Sequence, residues 1–237
     1  MDLVKPTNYC AEILGIGTYP IEYHKKQVLK LNDAVKFMLP NNGLVVDKVG
    51  YFDSDNKNKQ YNLEETFKGY IIQKKLPYPK IALEFYSSFS KEKMVLLAEE
   101  TADEGIIKLT HYFNYADFGK RWAVNHVYCL VNLNDFIILP LLDGLQKTPI
   151  SELNPDDIAL MKNKIESCSY ILMSFLSALN CSNVKQEEIQ PSKIMNKLRK
   201  EKGKQPFFSY KVLTIDTQNT VTSNKSGNGS HASPRVH

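Results

Sequence analysis

Apolar positions along the chain follow two different periods. Between Lys80 and Leu139 they alternate. The runs Lys80–Ser88, Lys93–Glu100, Gly105–Tyr115, Arg121–Leu133 and Phe136–Leu139 have strand composition and short polar connectors, which predicts an antiparallel meander of about five strands. In the first run Ile81, Leu83 and Phe85 point one way, and Ala82, Glu84 and Tyr86 the other. In the fourth, Trp122, Val124, His126, Tyr128 and Leu130 share a face, with Ala123, Asn125, Val127, Cys129 and Val131 opposite. Both faces are partly apolar, so this strand is expected to be central and covered on both sides, at least at its later end.

Elsewhere the spacing is three and four. Asn154, Pro155, Asp156 and Asp157 form a helix-start signature, and Ile158, Met161, Ile165, Cys168, Leu172, Phe175 and Leu179 continue it as the apolar stripe of a long helix lying on the sheet. Val28, Leu31, Val35 and Met38 predict a helix from Ile21 to Pro40, followed by a strand from Leu44 to Phe52. A shorter helix is expected from Asn62 to about Lys74, stopped by Leu76-Pro77-Tyr78-Pro79. Near the end, a basic helix runs to Gly203, Pro206 forbids its continuation, and Phe207 to Ile215 read as a strand. The chain therefore predicts an α+β fold: the meander sheet packed against the long helix, with N-terminal helices and a final helix-strand unit. Residues 1–216 form one globular domain in this reading, with the basic unit at 191–216. The Ser-, Thr-, Asn- and Gly-rich segment 217–237 is a flexible polar tail.

Composition narrows the class. With 237 residues, 43% of them hydrophobic, one large core is within reach. No run approaches the roughly 18 apolar residues of a membrane helix, and MDLVKPTNYCAEILGIG lacks the order of a signal peptide, so a soluble, cytoplasmic protein with no membrane partner is expected. Cys10, Cys129, Cys168 and Cys181 are scattered without a CxxC pair and read as free buried thiols rather than a metal site. No motif asks for a cofactor: LGIGTYP lacks the third glycine and the helix start of a nucleotide-binding turn.

Charge adds an asymmetry that the net value of +4 conceals. From Pro191 onward there are nine Lys and Arg against two acids, so all of the excess is C-terminal. Lys193, Lys197, Arg199, Lys200, Lys202 and Lys204 crowd the basic helix, with Lys211 and Arg235 beyond it. These eight residues are the expected contacts to nucleic acid, RNA or another polyanion, because Lys and Arg displace counterions from phosphates whatever the sequence. Phe207, Phe208 and Tyr210 stand next to them as candidate base-stacking platforms. A solvated helix face has the same composition.

The segment NKLRKEKGKQPFFSYKVLTI, the terminal GSHASPRVH and the earlier LPYPKIALEFY together resemble a family of phage and prophage proteins, mostly of unassigned function. In that family the His-Ala-Ser-Pro-Arg-Val-His segment leads into a strongly basic tail, whereas this chain stops at His237. The same tail is similar to one in an anti-CRISPR family directed against expression of a type V CRISPR nuclease. The resemblance covers the middle and the C-terminal third. It implies a binding protein that interferes with a host process, through nucleic acid or through a host protein or peptide.

Enzymatic chemistry has one arrangement to offer. Glu84, Glu99 and Glu100 lie on neighbouring predicted strands and His111 and His126 on the next two, the residue types of a metal-dependent hydrolase or nuclease. Their spacing matches no familiar motif, so the chain reads as a binding protein before an enzyme. Glu84 stands out within the set, because an acid on the apolar strand IALEFY is either at an uncovered face or buried with a partner.

Overall fold

The computed structural model describes residues 7–16, 22–39, 44–45, 67, 69–71, 74–87, 92–115, 121–142 and 155–215. The alternating runs become strands β3 (Lys80–Ser87), β4 (Glu92–Glu100), β5 (Ile106–Tyr115), β6 (Arg121–Asn132) and β7 (Ile137–Leu142). Each pairs antiparallel with the next. The sheet is nevertheless larger than the expected five strands, because four short ones complete it. These are β1 (Val35–Met38), β2 (Leu44–Val45), β8 (Val184–Ile189) and β9 (Tyr210–Ile215), and the path of strands is β7-β6-β5-β4-β3-β1-β9-β8, with β2 also on β3.

The sheet is also mixed. β1 pairs parallel with both β3 and β9, so it joins the meander to the antiparallel hairpin β8–β9. Val35 and Met38 therefore belong to a strand, not to the expected helix. That helix, α2, covers only Glu22–Leu29, and the turn through Asn32 and Asp33 ends it. Lys36, Phe37 and Met38 are buried in succession, so the strand shows no alternation, and the accidental three-residue spacing of Val35 and Met38 imitates a helix. Among the described residues there are four helices, α1 (Tyr9–Leu14), α2, α3 (Pro155–Leu179) and α4 (Lys193–Glu201), of which the first three pack on the sheet. Of the strand expected over Leu44–Phe52 only β2 is described. The helix expected from Asn62, the cap Asn154 and the tail 217–237 lie wholly or mostly outside the described residues.

Register decides which side chains meet. Ile81, Leu83 and Phe85 face α3 together with Leu96, Leu109 and Val131, and they bury Leu172, Met173, Phe175 and Leu176 of that helix. Burying each such side chain contributes about 1.5–3 kcal/mol, which fixes α3 across the sheet. Ala82, Val95, Leu97, Tyr112 and Val124 face the other way, onto Cys10 and Ile13 of α1 and onto Val28 and Leu31. The Tyr112 hydroxyl donates to the Gln27 carbonyl at 2.8 Å and pins α2 there. Cys10, Cys129 and Cys168 are buried and outside any disulfide, while Cys181 is exposed, so not all four are buried as the sequence predicts.

One corner is tightly built. Gly105 has φ +78°, and a Cβ there would stand 2.5 Å from the Asn134 amide nitrogen, so the β4–β5 and β6–β7 turns lie in contact. Leu133 N–H donates to the Gly105 carbonyl at 2.8 Å, and the Asn134 amide donates to the Glu104 carbonyl at 3.3 Å.

Candidate functional site

Helix α4 is held to the sheet through the segment that follows it, not through a buried face. Ser192 caps its N-terminus, accepting from Met195 N–H. The Asn196 amide brackets the Phe207 backbone, donating to its carbonyl at 2.9 Å and accepting from its N–H at 2.8 Å. Arg199 donates to the Gln205 carbonyl at 2.7 Å and lays its guanidinium 4.0 Å from the Phe207 ring centre. Gly203, at φ +63°, turns the chain back as the sequence predicts.

This attachment sorts the basic residues. Lys193, Lys197 and Lys200 recur at four and three positions, which places them in one row. They line an open concavity of about 590 Å³ with Gln190, Pro191, Asn196 and Glu201. Lys202 and Lys204 are exposed just past the helix. Among the described residues none of these five lysines has an acidic partner within ion-pair distance; the ion pairs are those of Lys30 and Lys80 with Glu99 and of Lys93 with Glu12. Arg199 is committed to Gln205 and Phe207. Lys211 sits on β9 in register with Glu188, its ammonium 5.3 Å from the Tyr78 ring, apart from the row. Arg235 lies outside the described residues.

Of the three aromatic residues only Tyr210 serves the interior. Tyr210 is buried and donates to Glu84, Phe208 carries the Lys36 ammonium 3.8 Å from its ring centre, and Phe207 carries Arg199. Burial removes Tyr210 from the expected stacking platform, while half-buried Phe207 and Phe208 each carry a cation on one ring face.

The acids and histidines of the hydrolase arrangement are spread over both faces of the sheet. Glu84 and Glu99 face α1 and α2; Glu100 and His111 face α3, since His111 is in register with Leu96. Glu84 is in register with Val95, four residues from Glu99, or about 13 Å along the strand. Glu99 pairs with Lys30 at 2.9 Å, Glu100 accepts from Leu76 N–H at 2.9 Å, and His111 is buried beside Phe113. His126 lies on β6, where the β5–β6 register shifts between Thr110 and Tyr112; its side chain is outside the described residues. Among the described residues no three His, Cys, Asp or Glu gather to hold a metal ion.

Glu84 turns out to hold the fold together. Its carboxylate accepts from the Thr7 hydroxyl and Tyr9 N–H (2.8 Å) on one oxygen, and from Cys10 N–H (2.8 Å) and the Tyr210 hydroxyl (2.7 Å) on the other. Asn8, the residue before α1, makes no side-chain capping bond, so a glutamate from the sheet caps that helix instead. Two of these donors are backbone groups remote in sequence, and no sequence signal announces them. With every oxygen occupied and no exposure, Glu84 has nothing left to offer a substrate.

Its neighbours titrate abnormally. Burial, and then the Glu84 charge, push the Cys10 thiol well above its ordinary 9.0, Tyr9 up to about 12 and Tyr210 upward as well. Burial lowers Lys36, against the opposing charges of Cys10, Glu84 and Asp33. The three raised acids stabilise the fold fully below the values of the unfolded chain. That contribution is lost above pH 9 to 10, where the unfolded chain gives up its protons first. Lys36 acts oppositely, its burial cost easing as pH rises, but three groups outweigh one. The melting temperature should hold level from pH 7 to about 8.5 and fall steeply above about 9, with the onset delayed in Cys10→Ala. A level melting temperature up to pH 11 would remove the buried cluster as the cause.

Searches of protein-family models, curated proteins and solved structures found no match to this chain.

Proposed function

We propose that the chain binds a polyanion, RNA in the first instance, along the lysine row of α4. The carrying observation is that Lys193, Lys197 and Lys200 line one concave surface on an exposed helix, with no acid of the body neutralising them among the described residues. Lys202 and Lys204 extend the positive surface past the helix end. Contact through phosphates needs no base-stacking platform, which suits a buried Tyr210 and two rings that each carry a cation, and it makes binding tolerant of sequence. The resemblance to phage and prophage proteins supports a role in interfering with a host process.

Fluorescence anisotropy with single-stranded RNA and duplex DNA across a salt series tests this reading. Changing Lys193, Lys197 and Lys200 to Gln should weaken RNA binding and flatten the log–log salt slope by about 2, near 0.7 per single-strand phosphate contact. The three side chains are exposed, so the variant should melt with the unaltered chain. An unchanged slope, or no binding by either protein at low salt, would make the row a solvated helix face.

A further inference from the structure

Nine large apolar side chains are exposed among the described residues, and six of them form two compact groups. Single exposed apolar residues are ordinary; three together on a rigid element are not. One group is Ile194, Met195 and Leu198 on α4, 73%, 49% and 45% exposed. Turning 100° per residue, the helix presents this group on a different side from the lysine row and away from the Asn196 and Arg199 attachment. The other group is Ile137, Leu139 and Leu141, 48%, 53% and 38% exposed, alternating along β7 and hence on one face. Ile138 packs toward α3, so the group points to the opposite side of the sheet. Leu130 and Tyr128, half-buried, are in register with Leu139 and Leu141 and continue the surface inward, where the Lys108 ammonium stands 3.9 Å from the Tyr128 ring centre.

The balance of charge around the two groups is opposite. Lys193 and Lys197 flank the α4 group and Lys202 and Lys204 follow it, with Glu201 the one acid beside them. The β7 group starts beside Asp135, and the contact between hairpin turns holds Asp103 and Glu104 at the same corner. All three acids are exposed.

We infer that copies of this chain associate head to tail, the apolar side of α4 on one copy seated on the open β6–β7 face of the next. The net charge of each surface favours the pairing: α4 against α4 would bring four lysines together against one acid a side, and β7 against β7 would bring three acids together against Lys108. Extension of the sheet through the β7 edge is opposed by Pro140, which has no N–H to donate. The two surfaces belong to opposite ends of the sheet, since α4 joins β8 and β9 while β7 is the other edge, so a copy cannot cover its own. Repetition of such a contact builds a ring or an open chain. Three exposed apolar residues a side are fewer than a standard interface uses, so the dissociation constant should be roughly 10–100 µM. An anionic membrane would account for α4 alone and would repel the acidic corner. The inference is independent of RNA binding.

Sedimentation velocity of the full chain, free of nucleic acid, tests it from low to high micromolar concentration. The weight-average mass should rise with concentration and fall back with added salt. Leu139→Asp and Leu198→Asp alter exposed positions on the two surfaces, and circular dichroism should show both folded. Each alone should remain monomeric, and their equimolar mixture should form a 1:1 dimer and nothing larger, because one intact surface of each kind survives. A monomeric unaltered chain, a single variant that still dimerises, or a mixture that stays monomeric would each overturn the proposal. So would a monomeric chain that instead sediments with vesicles of phosphatidylserine and phosphatidylcholine, which would reassign the α4 group to a lipid surface.

Discussion

Replacing Glu84 by Gln should cost about 2–3 kcal/mol of stability, and by Ala about 3–5 kcal/mol. The amide of Gln cannot satisfy the site in either orientation. With its NH₂ toward Tyr210, that hydroxyl can turn and accept, but Cys10 N–H then faces a donor. With its NH₂ toward Thr7, the threonine hydroxyl can accept, and Tyr9 N–H is orphaned instead. One first-turn donor of α1 is thus buried without a partner in every case. Ala leaves all four donors facing a void, and it removes one of the charges that oppose the lowering of Lys36. For a chain of this size, Glu84→Ala should lower the melting temperature by about 10 °C. Tyr210→Phe, which removes one donor and leaves the carboxylate three, should cost about 1.5–3 kcal/mol. Urea denaturation checks the order Ala, Gln, Phe. A Gln variant within 0.5 kcal/mol of the unaltered protein would show that the carboxylate does not hold α1 in place.

Phe37→Ala should be equally damaging, at about 3–5 kcal/mol. This ring lies where three parts of the molecule meet. Its strand is in register with Leu83 of the meander on one side and Lys211 of the C-terminal hairpin on the other, and its ring stands edge-on to Phe175 of α3 with centroids 4.9 Å apart. Tyr78 closes the fourth side at 6.2 Å. Removing the ring opens a cavity bounded by two strand junctions and a helix, none of which can move inward without breaking ladder bonds. Phe37→Leu retains most of the volume and should cost under about 1.5 kcal/mol. Equal losses for Leu and Ala, measured by denaturation, would mean that the site collapses freely.

The parts of this fold that the sequence discloses are those with a solvent face or a local stop. Ile81, Leu83 and Phe85 alternate against Ala82, Glu84 and Tyr86, and the sheet separates them as that alternation requires. Gly203 marks the end of α4 within two residues. What stayed hidden has a physical reason in each case. Val35 to Met38 are buried nearly throughout, so their polarity carries no period. β8, VKQEEI, is an edge strand exposed through its middle, and its composition reads as loop. The lysine row was visible as charge density, but only the clamp on Phe207 separates Lys193, Lys197 and Lys200 from the committed Arg199. The four partners of Glu84 lie far off in sequence, and two of them are backbone groups, which no residue pattern encodes.

The placement of β1 also sets an order of events during synthesis. This strand leaves the ribosome early, and its first neighbour, β3, follows closely, but its second neighbour is β9, the last of the nine to emerge. At about 5–20 residues per second, one edge of β1 stays unpaired for on the order of ten to thirty seconds. Over the same interval Glu84 lacks its Tyr210 donor. The nascent chain must therefore wait, with an apolar strand edge open in the middle of its future sheet, until the C-terminal hairpin arrives to close it. Chaperone dependence during translation should be concentrated in that interval, more than in the release of the finished chain.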